Sequence, residues 1–158
     1  MATAAEREAA GRFLAAAVKD DARYISHGEI QCGLSPDGRR WADDLGTLLA
    51  EDMAGIGDDR SVLVARGATA AIVGVAIVFW VATPRVRYAV LEDLAVAPAM
   101  RSHGLGERMT DAVAAEARSR GAAWLFLESG RDNHRAHDFF TRHGFTEMSR
   151  VFARRLDA

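Results

Sequence analysis

The chain has 158 residues, which is enough for one domain around a single hydrophobic core. Its 20 Lys and Arg residues against 22 Asp and Glu residues give a formal charge of −2, which argues against a polyanion-binding surface over most of the protein. The single cysteine, Cys32, excludes an internal disulfide and a multi-cysteine metal site, so we expect a reduced, cytoplasmic protein.

The N-terminal third is expected to contain two helices separated by a loop. Residues 4–18 are rich in strong helix formers, and their apolar members recur at helical spacing. Glycine, serine and proline in residues 26–40 predict a loop, and a second helix is predicted over residues 41–54.

Three β-strands are expected next, over residues 61–66, 71–82 and 86–96. Each segment is rich in β-branched residues, and the short connections between them predict antiparallel pairing. The most apolar run, residues 70–82, is shorter than the roughly 20 residues of a membrane-spanning helix. We therefore expect a soluble protein that does not associate with a membrane.

The second half alternates helices and strands. A helix is predicted over residues 105–120, a buried strand over 123–128, a helix over 133–143 and a closing strand over 146–156. A right-handed crossover would make strand 86–96 parallel to strand 123–128. This order predicts a single α/β domain.

Residues 101–106, RSHGLG, which we call the glycine loop, lead directly into the helix predicted from residue 105. A glycine inside a helix costs roughly 1 kcal/mol relative to alanine, so Gly104 and Gly106 need a reason. Glycines let the backbone approach a ligand closely, and a helix N-terminus favours an anion such as a phosphate, to which Arg101 adds charge. The loop lacks the GK[ST] of a P-loop and the third glycine of the dinucleotide fingerprint, but it still favours a pyrophosphate.

The pattern Arg-x-x-Gly-x-Gly, which follows LEDLAVAP and precedes an amphipathic helix, resembles the acyl-CoA-binding signature of the GNAT superfamily of N-acetyltransferases. A second block, NHRAHDFFTRHGF at residues 133–145, is similar to the Asn-led helix of that superfamily, which closes with Gly-Phe. The resemblance covers roughly residues 61–156. LEDLAV and the block spacing are most similar to the branch that contains spermidine/spermine acetyltransferases and related small-amine enzymes.

This resemblance implies an α/β (α+β) acyl-CoA N-acyltransferase fold, with a mixed central sheet and helices on both faces. It implies one GNAT domain over residues 1–158. Within it, residues 1–58 would supply N-terminal helices and an acceptor-side loop, residues 61–96 the antiparallel strands, and residues 97–156 the acyl-CoA-binding core and the closing strand.

The resemblance also implies which residues contact the cosubstrate, acetyl-CoA. The backbone of strand residues 94–96 would pair with the pantetheine arm, amides of the glycine loop would hold the pyrophosphate, and Asn133 would contact the pantetheine side. The residues assigned to acetyl-CoA are Leu94, Ala95, Val96, Arg101, Ser102, His103, Gly104, Leu105, Gly106, Asn133 and Phe140. Ser102 stands where a glycine is common in the family.

Glu92 matches the carboxylate with which many members of the family deprotonate the amine, directly or through water. Asp93 is the rival base, and strand alternation predicts that the two side chains point to opposite faces. A main-chain amide near Val96 would stabilise the oxyanion. Phe140 occupies the position of the tyrosine that usually protonates the departing CoA thiolate, so this general acid is missing.

Plainer interpretations of the same residues remain open. The glycines alone are consistent with a tight turn, Glu92 with an ion pair, Asn133 with a helix cap, and Phe140 with core packing. No metal site is predicted, because the three closely spaced histidines have no compelling carboxylate partner. These are His134, His137 and His143.

The predicted activity is transfer of the acetyl group of acetyl-CoA to a primary amine of a small molecule, by direct attack with Glu92 as base. Tyr24, His27 and Glu29 lie where acceptor loops occur in the family, although an ordinary loop also explains them. Alternatives are a CoA-binding or sensing module with weak catalysis, acetylation of a protein or peptide N-terminus, and a nucleotide-binding regulator or methyltransferase. No nucleic-acid partner is expected, and an edge strand would permit a homodimer.

Overall fold

The computed structural model describes residues 3–156. The chain divides into two compact units. The first contains residues 3–20 and 44–128, and the second contains residues 21–43 and 129–156. The single domain stays a prediction.

Within the described residues, the first unit contains four strands and three α-helices. In chain order its elements are α1 (Ala4–Val18), α3 (Leu45–Ala54), β1 (Arg60–Arg66), β2 (Ile72–Ala82), β3 (Arg87–Val96), α4 (Leu105–Ser119) and β4 (Trp124–Leu127). The second unit contains α2 (His27–Gln31) and α5 (His134–Arg142).

The four strands form one mixed sheet in the order β1-β2-β3-β4. The β1–β2 and β2–β3 pairs are antiparallel, and β3 and β4 are parallel. Helix α4 connects β3 to β4, as a crossover between parallel strands requires. The predicted fold class and the parallel pair are therefore confirmed.

The centre of the sheet is the core of the first unit. Five consecutive residues of β2 are buried, which matches a central strand covered on both faces. They are Gly74, Val75, Ala76, Ile77 and Val78. Helix α4 packs so closely on β2 that a Cβ at Gly74 would lie 2.5 Å from the Sδ of Met109, and only glycine allows that approach.

Helix α1 begins with a capping box, in which the Thr3 hydroxyl accepts from the Glu6 amide and the Glu6 carboxylate accepts from the Thr3 amide. Its bounds are those that the helix-forming composition predicts. Helix α3 is shorter than predicted and begins at Leu45 rather than at Trp41. The preceding residues include turns, so the helical pattern extends further than the helix.

In the second unit, the segment expected to be an open loop contains the short helix α2. Ser26 caps it and donates from its amide to Glu29 at 2.7 Å, so composition alone missed a capping box. The turn that follows is closed by Asp37, which accepts from the amides of Arg39 and Arg40, each at 2.8 Å. These two hydrogen bonds lower the pKa of Asp37 to about 2.

The closing strand predicted over residues 146–156 was wrong. No helix or strand is present in this segment, and its apolar side chains are exposed, with Phe152 at 90% and Leu156 at 88%. A strand requires a neighbour for its backbone N–H and C=O groups, and β-branched or aromatic content alone does not supply one.

Candidate functional site

The sheet opens between β3 and β4 at a defined position. The two strands pair from Tyr88 opposite Trp124 to Leu91 opposite Leu127, where β4 ends. Strand β3 continues for five more residues, through Val96, paired only to β2 in the described part of the chain. On the side of β3 where β4 lies, the edge from Glu92 onward therefore has no paired strand among the described residues.

A β-bulge lies at the start of this open edge. Val78 is opposite Leu91 and the adjacent Ile77 is opposite Asp93, so Glu92 is an additional residue without a partner in β2. Bulges re-aim side chains and are common next to active sites. Glu92 is thus the first β3 residue beyond the pairing with β4 and also the bulged residue.

The Glu92 carboxylate is held by a bidentate ion pair with Arg60, the first residue of β1. Arg60 Nε donates to Oε2 at 2.8 Å and Nη2 donates to Oε1 at 3.0 Å. The two side chains are 34% and 30% exposed, for Arg60 and Glu92 respectively. Hydrogen bonding to Glu92 raises the pKa of Arg60, so the guanidinium stays charged at every physiological pH.

Glu92 and Asp93 do not follow strand alternation. Asp93 is opposite Ile77 and therefore shares a face with Ile77 and Phe79. Arg60, opposite Phe79 in β1, lies with its guanidinium over that ring, and Glu92 reaches Arg60. The bulge therefore brings both carboxylates to one face, and the prediction of opposite faces was wrong.

Residues 101–104 of the glycine loop precede α4, and its last two residues, Leu105 and Gly106, form the start of that helix. Gly104 has φ 71° and Ser102 has φ 64°, both in the left-handed region. The positive φ of Ser102 explains why glycine would suit position 102 better than serine. No side chain caps α4 in the described residues, so its first-turn amides are not occupied by a capping group. Such a helix start is suited to an anion.

The guanidinium groups of two arginines near the glycine loop have different hydrogen-bond partners. Arg101 directs its Nε to the carbonyl of Val96 at 3.3 Å, and its Nη2 is 3.5 Å from the carbonyl of Ala17, so its charge is turned toward backbone oxygens. Arg108 is exposed, and its Nη1 donates to the carbonyl of His103 at 3.2 Å. Arg108, to which no sequence motif points, therefore places a guanidinium at the loop.

The remaining predicted cosubstrate residues lie in the second unit. Asn133 is 8% exposed, and its Oδ1 accepts from the Ala136 amide at 3.3 Å, so it caps α5. Phe140 is half-buried and makes edge contacts with Phe139 and Phe145 at ring-centroid distances of 5.2 and 5.5 Å. Asn133 thus has the capping role that the plainer interpretation gave it, whereas Phe140 packs against neighbouring rings without being fully buried.

The other polar candidates of this unit are also held locally. His137 Nε2 is 2.9 Å from the carbonyl of Gly130, and His143 Nδ1 is 2.7 Å from the carbonyl of Phe139. Glu29 is occupied by the capping box of α2. Among residues 3–156, no three His, Cys, Asp or Glu side chains are grouped as a metal site requires, and no helix has the length and hydropathy to cross a membrane.

Comparison with known proteins adds to this geometry. A family model described as Acetyltransferase (GNAT) family matches residues 25–145. No curated protein matches the chain significantly.

Several solved structures are similar to the whole chain or to a part of it. A tetramutant of the BH1408 protein from Bacillus halodurans has a TM-score of 0.74 at 18% identity, over 98% of this chain and 97% of that one. An aminoglycoside antibiotic 6'-N-acetyltransferase from Acinetobacter haemolyticus has a TM-score of 0.58 at 19% identity, over 84% and 96%. Nourseothricin acetyltransferase is 34% identical with a TM-score of 0.52, over 56% of this chain and 51% of that one.

Proposed function

The chain belongs to the GNAT acetyltransferase family, and from this premise we propose that it transfers the acetyl group of acetyl-CoA to a primary amine of a small molecule. It is an acyltransferase, and members of its family use acetyl-CoA as cosubstrate. The observation that carries the proposal is the position of Glu92, a carboxylate at the bulge where β3 separates from β4.

The glycine loop and the start of α4 are our proposed site for the pyrophosphate of acetyl-CoA. The uncapped α4 N-terminus supplies amide donors and the positive end of the helix dipole, and the left-handed residues bend the loop around that end. We add Arg108 as the side-chain cation, since Arg101 is turned toward carbonyl oxygens. The open edge of β3, residues 94–96, is the proposed site for the pantetheine arm. Asn133 and Phe140 stay proposed cosubstrate residues on the family resemblance alone.

Glu92 is the proposed general base. A primary alkylammonium has a pKa near 10 and must lose a proton before it can attack, and a positioned base contributes about 10²- to 10⁴-fold. An ionised carboxylate has about four lone-pair sites. Arg60 takes one on each oxygen, so Glu92 keeps acceptor sites for the ammonium or for a water that relays its proton.

The reaction then proceeds without a covalent enzyme intermediate. Glu92 takes one proton from the ammonium, and the neutral amine nitrogen attacks the thioester carbon. The nitrogen of the tetrahedral intermediate then loses its second proton to water, and the C–S bond breaks to release CoA thiolate. We propose a main-chain amide at Val96 as the oxyanion donor, since the Ala97 amide is already bonded to the carbonyl of Val73 at 2.8 Å. The Phe140 side chain has no proton to give, so water protonates the thiolate.

A small cationic amine is the acceptor that the Glu92 site favours. Each oxygen of the Glu92 carboxylate accepts one hydrogen bond from Arg60, and each keeps a further acceptor site for the N–H groups of a protonated amine. Two similar structures are named as acetyltransferases of an aminoglycoside antibiotic and of nourseothricin. We propose the spermidine/spermine-like branch because LEDLAV and the spacing of the two blocks are similar to it. Tyr24 and His27 stay candidates for acceptor selection on the same resemblance.

A second candidate function is CoA binding without efficient turnover. It is favoured by Phe140, whose ring packs between Phe139 and Phe145 where the family usually has an acidic hydroxyl. In this case acetyl-CoA would bind and no amine would be acetylated at a useful rate.

Steady-state kinetics with acetyl-CoA distinguish the two functions. Thiol release and product mass would be measured with spermidine, an aminoglycoside, and a peptide with a free N-terminal amine. We expect acetylated spermidine or aminoglycoside, and a loss of about 10²- to 10⁴-fold in kcat for Glu92→Gln with little change in acetyl-CoA binding. Exclusive acetylation of the peptide would refute the small-amine acceptor, and an unchanged kcat in Glu92→Gln would refute the base.

A further inference from the structure

The geometry points to Arg60 as the positioning residue for Glu92, an inference that depends on the proposed function of Glu92 as base. The sequence gives no indication of a role for Arg60, because it lies 32 residues before Glu92 and outside both family-like blocks. In the folded chain it is the residue that contacts both oxygens of the carboxylate.

Glu92 needs such a partner because of where it lies. As the bulged residue it has no cross-strand neighbour in β2, and β4 ends beside the preceding residue, Leu91. A glutamate in this position, with 30% of its side chain exposed, can adopt several rotamers that place the carboxylate differently. The planar fork of a guanidinium selects one orientation of the carboxylate plane, which a single-point contact would not do.

Two further contacts hold the Arg60 guanidinium, one with the Phe79 ring and one with the Asp59 carboxylate. Its Cζ lies 4.3 Å from the centroid of the Phe79 ring, and its Nη1 is 3.3 Å from both carboxylate oxygens of Asp59. The carbonyl of Asp59 accepts from the Trp80 amide at 2.7 Å, which fixes the start of β1 against β2. The guanidinium of Arg60 is thus positioned on β2 independently of its contact with Glu92.

Stability alone does not account for this arrangement. An ion pair with about a third of each side chain exposed contributes only about 0–1 kcal/mol to folding. Misplacing a reacting group by about 1 Å, in contrast, can lower a rate by about 10²-fold. We therefore expect the loss of Arg60 to be seen in turnover and not in the fold.

The test uses Arg60→Met, which removes the fork and keeps a long side chain, and Arg60→Lys, which keeps the charge without the fork. With acetyl-CoA and whichever of spermidine, an aminoglycoside or a free-amine peptide turns over, Arg60→Met should lower kcat about 10- to 100-fold and leave KM for acetyl-CoA unchanged. Arg60→Lys should recover only part of the loss. Arg66→Met is the matched control, because Arg66 is on the same strand and pairs with Glu6 at 2.7 Å.

A double-mutant cycle separates positioning from other effects. In the Glu92→Gln background, Arg60→Met should cause no further loss of kcat, because the group that it positions is already gone. An equal loss in both backgrounds would overturn the inference, as would full activity of Arg60→Met while Glu92→Gln is impaired. Full activity of Glu92→Gln would instead refute the base, and the role of Arg60 with it.

A spectroscopic readout tests the contact without turnover. In ¹H–¹⁵N spectra the Arg60 Nε–H should give a slowly exchanging signal that is lost or shifted in Glu92→Gln and unchanged in Glu6→Gln. An Arg60 signal that is the same in wild type and in Glu92→Gln would overturn the inference even if no acceptor of the panel is acetylated.

Discussion

Substitutions at Gly104 test the proposed pyrophosphate site, because Asp and Asn have nearly the same size but differ in charge. Its φ of 71° lies in the left-handed region, where a residue with a Cβ is less stable by roughly 1–2 kcal/mol. A Cβ there would meet only the end of the flexible Arg108 side chain, at 3.4 Å, so no further clash is expected. Gly104→Ala should therefore lower Tm by roughly 2–8 °C at this chain length.

Gly104→Asp and Gly104→Asn separate charge from backbone conformation. Both side chains tolerate the left-handed region and can cap α4, so the two variants should unfold at similar temperatures. Only Asp places a negative charge at the proposed phosphate site, and two unit charges about 4 Å apart repel by about 4 kcal/mol at an effective dielectric constant near 20. We expect the affinity of Gly104→Asp for acetyl-CoA to be about a thousandfold lower than that of Gly104→Asn.

Titration calorimetry with acetyl-CoA measures this difference directly. Circular dichroism of each variant reports whether the fold is retained, so a lost helix is not mistaken for a lost ligand site. Equal affinities of the Asp and Asn variants for acetyl-CoA would refute the assignment of the pyrophosphate to the α4 N-terminus, and the glycine loop would then be a turn.

Three further predictions concern packing, pH and the missing acid. Gly74→Ala forces a Cβ to 2.5 Å from Met109 and should destabilise the fold by about 1–3 kcal/mol in urea unfolding; an unchanged midpoint contradicts the tight α4 contact. The pKa of Asp37, about 2 against 3.8 unperturbed, means that Asp37→Ala should be less stable than wild type above about pH 4, with the difference lost as pH falls toward 2; a difference that does not vary with pH contradicts this. Phe140→Tyr should raise kcat, and no gain would mean that thiolate departure is not rate-limiting.

Much of the first unit follows from local sequence patterns. The bounds of α1 and those of β1, β2 and β3 agree with the predictions to within one residue, because composition and apolar periodicity persist along each of these elements. The parallel pairing of β3 and β4 follows from chirality, since a strand, helix and strand in one sheet have a preferred hand.

The parts that were missed depend on contacts between residues far apart in sequence. Nothing local distinguishes Glu92 as a bulged residue, so alternation placed it on the wrong face relative to Asp93. Arg60 meets Glu92 only after β2 is inserted between their strands. The C-terminal segment had strand composition without a strand to pair with.

Thermal unfolding with acetyl-CoA tests the central claim most directly, because it requires no knowledge of the acceptor. At a hundredfold excess over its dissociation constant, a ligand that binds only the folded chain stabilises it by about 2.7 kcal/mol, or roughly 5 to 10 °C here. We predict such a shift with acetyl-CoA, none with S-adenosylmethionine or NAD, and its loss in Gly104→Asp. No shift with acetyl-CoA, or an equal shift with all three ligands, would contradict the account.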